Sequence, residues 1–451
     1  MLPQAPPPTP LPAPPALTSP RPASQAAPTL RLSLKEALRR GLEANPRMRL
    51  AALAQARSQA EREDARAALL PTVSGFAQGN RIRQNLDPLL GMPNPGGPLV
   101  VGPFNAGAVG VQVEATLFDL SLWKRWKASR QEETATAAEA KAAREDLTAL
   151  VLGQYFSAQR AQAAVLAASS QVEVAEALAT LAEHQEKAGV GTGIDTLRAR
   201  VQLQTERQRL IQAKAQLRIA SFGLGRLLAL DPGTEVEVTD PLATPAIPTE
   251  DFPAAFGRAA KDRPEAAALA AKAQAAASNL TAAKAVRLPS IVATGSYGAT
   301  GLENQPWPHI YSVGVGVRVP IFTGGHVSSR IAQARIQEQE VQAQRRDLDD
   351  RMALEIRTAQ VQLDSVQGEV EVATEAVQLA EAELLQARHR FEAGVTSNIE
   401  VIQAQDELAK ARDRHLGALY RMNLARADLA RATGELEAMY LNDTERNDHV
   451  R

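Results

Sequence analysis

Two long segments of the chain carry apolar residues at heptad spacing. In the second, Leu363, Val370, Val377, Leu384 and Phe391 stand seven apart, with Val366, Ala373, Ala380 and Ala387 at the companion positions. Past a Gly-containing turn the pattern resumes with Val401, Leu408, His415, Met422 and Leu429, and with Ala404, Ala411, Ala418, Ala425 and Ala432 beside them. The first segment has a seam of Ala161, Ala168, Ala175 and Ala182, and its return has Leu203, Leu210, Leu217 and Leu224. Sustained heptads specify supercoiled helices, and alanine at alternate seam positions lets backbones approach closely. Residues 104–231 and 321–451 hold no proline, as helices of this length require. The pattern predicts helices over about 121–188 and 194–230, and again over about 326–392 and 398–437. The first would be on the order of 100 Å long at 1.5 Å per residue. Such lengths describe a rod or a tube.

Elsewhere the period changes to two. Tyr311, Val313, Val315, Val317, Val319 and Ile321 alternate with Ser312, Gly314, Gly316 and Arg318. Val109, Val111, Val113, Ala115 and Leu117 alternate with Gly110, Gln112, Glu114 and Thr116. Each is a strand with one apolar and one polar or small face, over about 105–118 and 310–322. Each has an uncharged partner strand, about 72–80 and 290–298, entered through a Leu-Pro step. Strands of nine to eleven residues fit a bilayer at the usual tilt. An ordinary sheet whose valine face packs on the rest of the chain is the plainer alternative.

The two patterns recur as a pair. Asn45-Pro46 and Leu70-Pro71 match Arg263-Pro264 and Leu288-Pro289 at an offset of 218, and Leu117-Phe118 matches Ile321-Phe322 at 204. The offset falls because the first half has a longer loop, Arg81 to Pro103. An ordered series of matches with one local insertion indicates internal duplication. The division is a Pro-rich disordered tail over 1–30, a first repeat over 31–240, a second over 241–440 and a flexible tail over 441–451. Each repeat opens with a capped helix, where Ser33 and Glu36 form a capping box and Asp251 takes the place of Ser33. A helix from Pro46 to about Leu69, or Pro264 to about Arg287, comes next. The fold class is mainly α with β: an internally duplicated protomer of long coiled-coil helices and two β-hairpins.

Composition narrows the function. Among 451 residues, 50 Lys and Arg face 51 Asp and Glu, which gives no general drive toward nucleic acid or an acidic surface. No cysteine is present, so no disulfide, thiolate metal site or cysteine nucleophile is possible. No run of about 18 consecutive apolar residues occurs, so no membrane-crossing helix is expected and a spanning role would fall to a β-barrel. Eleven of the 28 prolines lie in the first 28 residues, which lack the apolar core of a secretory signal. Nine of the 17 aromatics fall in residues 71–126 and 289–325, among them Trp123 and Trp126, flanked by Lys124, Arg125 and Lys127. Amphipathic rings beside basic residues suit a membrane–water boundary, and Tyr311 is placed there too. Four strands cannot close a barrel, and open edges are not tolerated in lipid. Hairpins that span a membrane would therefore have to be pooled from several copies.

The duplication, the Leu-Pro steps, Val-Pro-Ile-Phe-Thr-Gly-Gly at 319–325 and the paired turns at 188–195 and 393–400 together resemble the TolC-type outer-membrane efflux and secretion duct family. The resemblance covers nearly all of residues 31–440. It implies a homotrimer with a twelve-stranded barrel in outer-membrane lipid and a twelve-helix periplasmic tube. It implies a periplasmic adaptor docking at the turns and an inner-membrane RND or ABC pump, in tripartite efflux or type I secretion. The first strand pair departs from it, ending in Phe118-Asp119-Leu120 without the Gly-Gly of 324–325. The rival reading is a soluble periplasmic coiled-coil scaffold or adaptor.

Within that resemblance Glu400 falls where the family tends to place a constricting carboxylate, with Gln403 at the position of a possible second ring and Asp195 as the first-half counterpart. The alternative for Glu400 is a first-turn acid complementing the helix dipole, with Asn398 as cap. Gly189, Val190, Gly394 and Val395 form the turns that the resemblance sets against an adaptor. Gln112, Glu114 and Arg318 would line the barrel lumen, or Glu114 and Arg318 would pair between neighbouring strands. His184 and His389, at matching positions, are read as exposed residues carried through duplication, with a pH or metal role as the alternative. His415 is read as a core residue. With no nucleophile triad, no metal cluster and no phosphate loop, neither an enzyme nor a cofactor is expected.

Overall fold

The computed structural model describes residues 29–85, 99–244, 250–303, 305–393, 395–396 and 398–442. Most of the proposed N-terminal tail lies outside the described residues, but its boundary moves. Thr29 and Leu30 already belong to β1 (Thr29–Leu32), which pairs in parallel with β4 (Glu235–Val238). At the other end, Leu441 and Asn442 belong to a π-helical turn, Ala438–Asn442, and the rest of the C-terminal tail lies outside the described residues.

Helix α1 (Leu34–Ala44) has its capping box: Ser33 N–H donates to the Glu36 carboxylate at 2.9 Å, and Glu36 N–H donates to Ser33 Oγ at 3.4 Å. Asp251, before α5 (Phe252–Asp262), makes no side-chain cap bond. Pro253 in that first turn has no N–H to donate. Helices α2 (Pro46–Ala67) and α6 (Pro264–Ala285) both start on proline, whose fixed φ suits the first helical position.

The long helices make two antiparallel hairpins, α3 (Leu120–Lys187) with α4 (Gly193–Leu227), and α7 (His326–Glu392) with α8 (Asn398–Thr433). The α7–α8 seam is buried from Leu363 to Phe391 and from Val401 to Leu429, apart from half-buried Val377 and His415. In the first hairpin only Ala175, Ala182 and Leu224 of the seam are fully buried. Two helices stop short of the expected ends. Gly434, at φ +82°, ends α8, with Glu435 N–H on the Ala430 carbonyl at 2.8 Å. Ala229, at φ +52°, ends α4 in the same way, with Leu230 N–H on the Gly225 carbonyl at 2.9 Å.

Contrary to the expectation of no membrane-length apolar helix, α3 contains an 18-residue window of mean hydropathy 1.2, enough by length and composition alone. Val, Leu and Ala there outweigh the polar residues that keep the apolar run from being continuous. The helix nonetheless packs on α1, α2, α4, α6 and α8 along its 68 residues. Leu147, Val151, Leu152 and Tyr155 are fully buried with Leu38, Leu224 and Leu436 in the largest core cluster. Tyr155 Oη donates to the Leu32 carbonyl at 3.1 Å and lies 2.9 Å from Asp240 Oδ2, which accepts from Leu34 N–H at 2.7 Å. That knot joins β1, α3 and the residues after β4.

Four strands form one antiparallel sheet in the order β2 (Thr72–Asn85), β3 (Val100–Phe118), β5 (Ser290–Leu302), β6 (His309–Arg318). The first three run beyond their expected limits, so Arg81–Asn85 and Val100–Pro103 are strand where a loop was expected. β6 is shorter: Val319–Phe322 are not strand, since Pro320 offers no N–H to a ladder.

Candidate functional site

The register puts Val73, Val113, Gly295 and Val313 in one row and Val111, Tyr297 and Tyr311 in the row beside it. This valine face is bare in the protomer: Val313 is 82% exposed, Val315 68%, Val73 67% and Tyr311 81%. The opposite face carries Thr72, Ser74, Gln112, Glu114, Thr294, Ser312 and Arg318. Glu114 lies opposite Thr294, and Arg318 opposite Ser290, so β5 separates their strands and no ion pair joins them. β2 and β6 are both open edges.

Helix α3 inherits the orientation of this sheet. Thr72 Oγ1 donates to the Glu114 carbonyl at 3.4 Å and Thr300 Oγ1 to that of Gly107 at 3.1 Å. Even-numbered β3 residues thus turn their carbonyls to β2 and odd-numbered ones to β5. The chirality of L-residues then fixes the view. Seen from the valine side with the helices upward, β2, β3, β5 and β6 run from left to right. On α3, Arg62 of α2 meets Glu133 at 2.9 Å and Ser278 of α6 donates to Gln131 at 2.7 Å. At 100° per residue, Trp123, Trp126, Lys127 and Arg130 then fall on the valine side, and Arg125 on the other. Lys124 lies 5.1 Å from the Trp123 ring and Arg130 5.4 Å from that of Trp126. At the far end of the sheet, the stacked Tyr297 and His309 (5.8 Å) and Trp307, packed over Gly107 and Gly301, occupy the same side.

The hairpin turns lie at the other end of the helices. Gly189 has φ +74°, and a Cβ on Gly191 would come within 3.0 Å of Gln185 Cβ. Val190 and Val395 are 79% and 69% exposed. Gly394 lies outside the described residues. Asp195 accepts from Thr192 Oγ1 and lies 3.9 Å from Arg198. Asn398 is not a free cap: it is the first residue of α8, fully buried, and its Nδ2 donates to the Asp195 carbonyl at 2.7 Å. Glu400 is half-exposed and paired with Arg390 across the turn at 3.2 Å. Gln403 lines a largely apolar groove with Leu197, Val201, Ile399 and Ile402. His184 and His389 are exposed, the latter 3.8 Å from Glu392.

Sequence reasoning missed the lock between the hairpins. Glu206 is buried and accepts from Gln202 at 2.8 Å and from Arg209 at 2.7 Å, while Arg209 also donates to Asp406 of α8 at 2.9 Å. Burial raises the Glu206 carboxyl above its usual range, with Arg209 acting against it. The available signal was a carboxylate close to the Leu203–Leu210 seam. Asp406 of α8, which accepts from Arg209, is 197 residues away from that arginine in sequence.

Comparison with known proteins bears on the whole arrangement. A family profile described as "Outer membrane efflux protein" matches residues 37–230 and 256–435. Protein CyaE of Bordetella pertussis is 29% identical over 303 residues, 65% of this chain, and the match spans 63% of CyaE. The probable efflux pump outer membrane protein TtgC of Pseudomonas putida is 24% identical over 426 residues, 89% of this chain and 83% of that protein. A crystal structure of a Pseudomonas aeruginosa membrane protein superposes with a TM-score of 0.77 over 89% of this chain and 93% of that one, at 22% identity, which speaks to the fold alone.

Proposed function

The chain belongs to the outer membrane efflux protein family, and from that premise we propose that three copies join edge to edge into a twelve-stranded barrel, with their helices continuing as one periplasmic tube. Membership makes it an outer-membrane channel component of export. The trimer rests on one observation above all. The protomer has a bare valine face and two unpaired edges, β2 and β6, and backbone edges are not stable in hydrocarbon. Three four-stranded sheets exceed the eight or so strands that a barrel needs. Exposed apolar positions on the tube helices, Leu197, Val201, Ile211 and Ile219 of α4 and Leu354, Val361, Val372 and Leu379 of α7, offer further surface for neighbouring copies to cover.

In this reading the protein is a passive duct without a catalytic role. Energy comes from an inner-membrane RND or ABC pump reached through a periplasmic adaptor, and the turns carrying Gly189, Val190, Gly394 and Val395 receive the adaptor. Glu400, Gln403 and Asp195 guard the periplasmic end. The Arg390–Glu400 pair makes the gate a contest between an ion pair within one hairpin and repulsion among three carboxylates. Gln112, Glu114 and Arg318 line the lumen, and Trp123, Trp126 and Tyr311 anchor the barrel at its boundaries. A soluble coiled-coil scaffold would have to leave the valine face in water.

Single-channel recording in a planar bilayer tests this reading. Discrete conductance steps are expected, with Glu400→Gln changing their size or their block by divalent cations. An unchanged trace would remove Glu400 from the gate. Protein that stays monodisperse and monomeric without detergent would contradict the duct itself.

A further inference from the structure

On the surface turned away from the valine face, just past the sheet, a groove of about 350 Å³ crosses α6 between α3 and α7. Arg125, Asn279, Arg330, Gln333 and Gln337 line it, over an apolar floor that includes Val286. Val327 and Ile331 bury the side of α7 that meets α6, which turns Arg330, one residue before Ile331, to the same surface as Arg125. Arg318, at the end of β6, points to that surface too.

The charge here is unbalanced. Neither residues 120–131 nor residues 326–337 contain an acid, and of their cations Arg125 and Arg330 are the two that line this groove. Lys127 and Arg130 face the valine side, and Arg335 lies outside the groove. The ion pairs on these helices begin farther along, at Arg62–Glu133, Lys272–Glu139 and Arg351–Asp347. Among the described residues, neither Arg125 nor Arg330 has a carboxylate partner. The chain as a whole is balanced at −1, and against that balance the groove holds two guanidinium groups and no carboxylate among its lining residues.

We propose that this groove is a binding subsite for the oxyanion groups of molecules passing through the duct. A guanidinium presents a planar fork of N–H donors that fits a phosphate or carboxylate in bidentate fashion. The amides of Asn279, Gln333 and Gln337 add neutral donors, and the apolar floor accepts adjoining hydrocarbon. The inference rests on the duct reading, which turns this surface to the lumen and sets three grooves and three Arg318 side chains around one passage. Positive rings in a narrow pore favour anions and hold them weakly enough to leave.

The test uses the full-length trimer in a planar bilayer under a KCl gradient, with tripolyphosphate added on the barrel side. The expected result is block by tripolyphosphate from the barrel side, with a reversal potential to which the groove contributes anion permeability. The double variant Arg125→Gln/Arg330→Gln shifts the potential toward cations and raises the half-blocking concentration at least tenfold. Arg335→Gln, outside the groove, leaves both unchanged. Calorimetric titration of the purified trimer with tripolyphosphate makes the same comparison without a current. Conducting channels with equal block and equal binding in wild type and double variant would overturn the subsite and leave the duct standing. A folded protein that neither forms trimers nor conducts would defeat the duct, and the subsite with it.

Discussion

Asn398 Nδ2 donates to the backbone carbonyl of Asp195 at 2.7 Å, so the first turn of α8 is fastened to the first turn of α4. The two residues stand at the starts of the two return helices, and the bond holds the tips of both hairpins together inside one protomer. Asn398 is fully buried, and among the described residues its Oδ1 has no hydrogen-bond partner, so the donor bond to Asp195 is the one described for this side chain.

Asn398→Ala removes that bond at a cost of about 1 kcal/mol. The effect should be local. Amide exchange at residues 193–200 and 398–405 should quicken severalfold, while the thermal midpoint of the whole protein moves little. Unchanged exchange at both tips would show that the bond does not couple them.

In the sheet, Gly110 faces Gly298 across β3 and β5. A Cβ built on Gly110 would lie 2.6 Å from the Tyr297 carbonyl oxygen and 2.8 Å from Gly298 Cα, and backbone cannot give way cheaply. Gly110→Val should therefore lower the yield of assembled protein in the membrane severalfold. Gly316→Val, with nothing within 4 Å of its Cβ, should assemble normally. Native-gel quantification of membrane extracts distinguishes the two.

Glu145 on α3 is raised from an ordinary 4.5 to about 7, by burial and then by the nearby Glu265, with Arg263 opposing. The folded state holds the proton more tightly than the unfolded chain. The contribution of this group is therefore complete below about pH 4.5 and is lost as pH rises through 7. Glu145→Gln should stabilise the protein at pH 8 and make no difference at pH 4.5. Thermal unfolding of both proteins at several pH values checks this, and parallel curves would contradict it.

The elements that periodicity specifies were legible in the sequence. The seven-residue repeats set out both helical hairpins, most fully in α7–α8, where nearly every seam residue is buried between the two helices. The alternation of Val313, Val315 and Val317 set out β6 because one face differs from the other throughout. What depends on single distant contacts was not legible. β1 and β4 are four residues each and pair across 206 positions, too short for any period to show. Asn398 looks like a cap in sequence because asparagine before a helix usually is one. The structure spends its amide on Asp195, which only the packing of two repeats brings near. Glu400 was readable as an acid after a turn, but Arg390, ten residues back on the opposite helix, becomes its partner only once the turn closes.

Pairing of β2 with β6 between copies is the central claim, and a chain without cysteine allows it to be measured cleanly. One cysteine is placed at Val73, Gly75 or Ala77 on β2 and a second at Val313, Val315 or Val317 on β6, and the membranes are oxidised. These strands lie at opposite edges of the protomer's sheet, so a disulfide between them must join two copies. The account predicts that at least one combination gives a covalent trimer on a non-reducing denaturing gel, collapsing to monomer on reduction. Monomer alone from every combination, in membranes where the protein is folded, would contradict it.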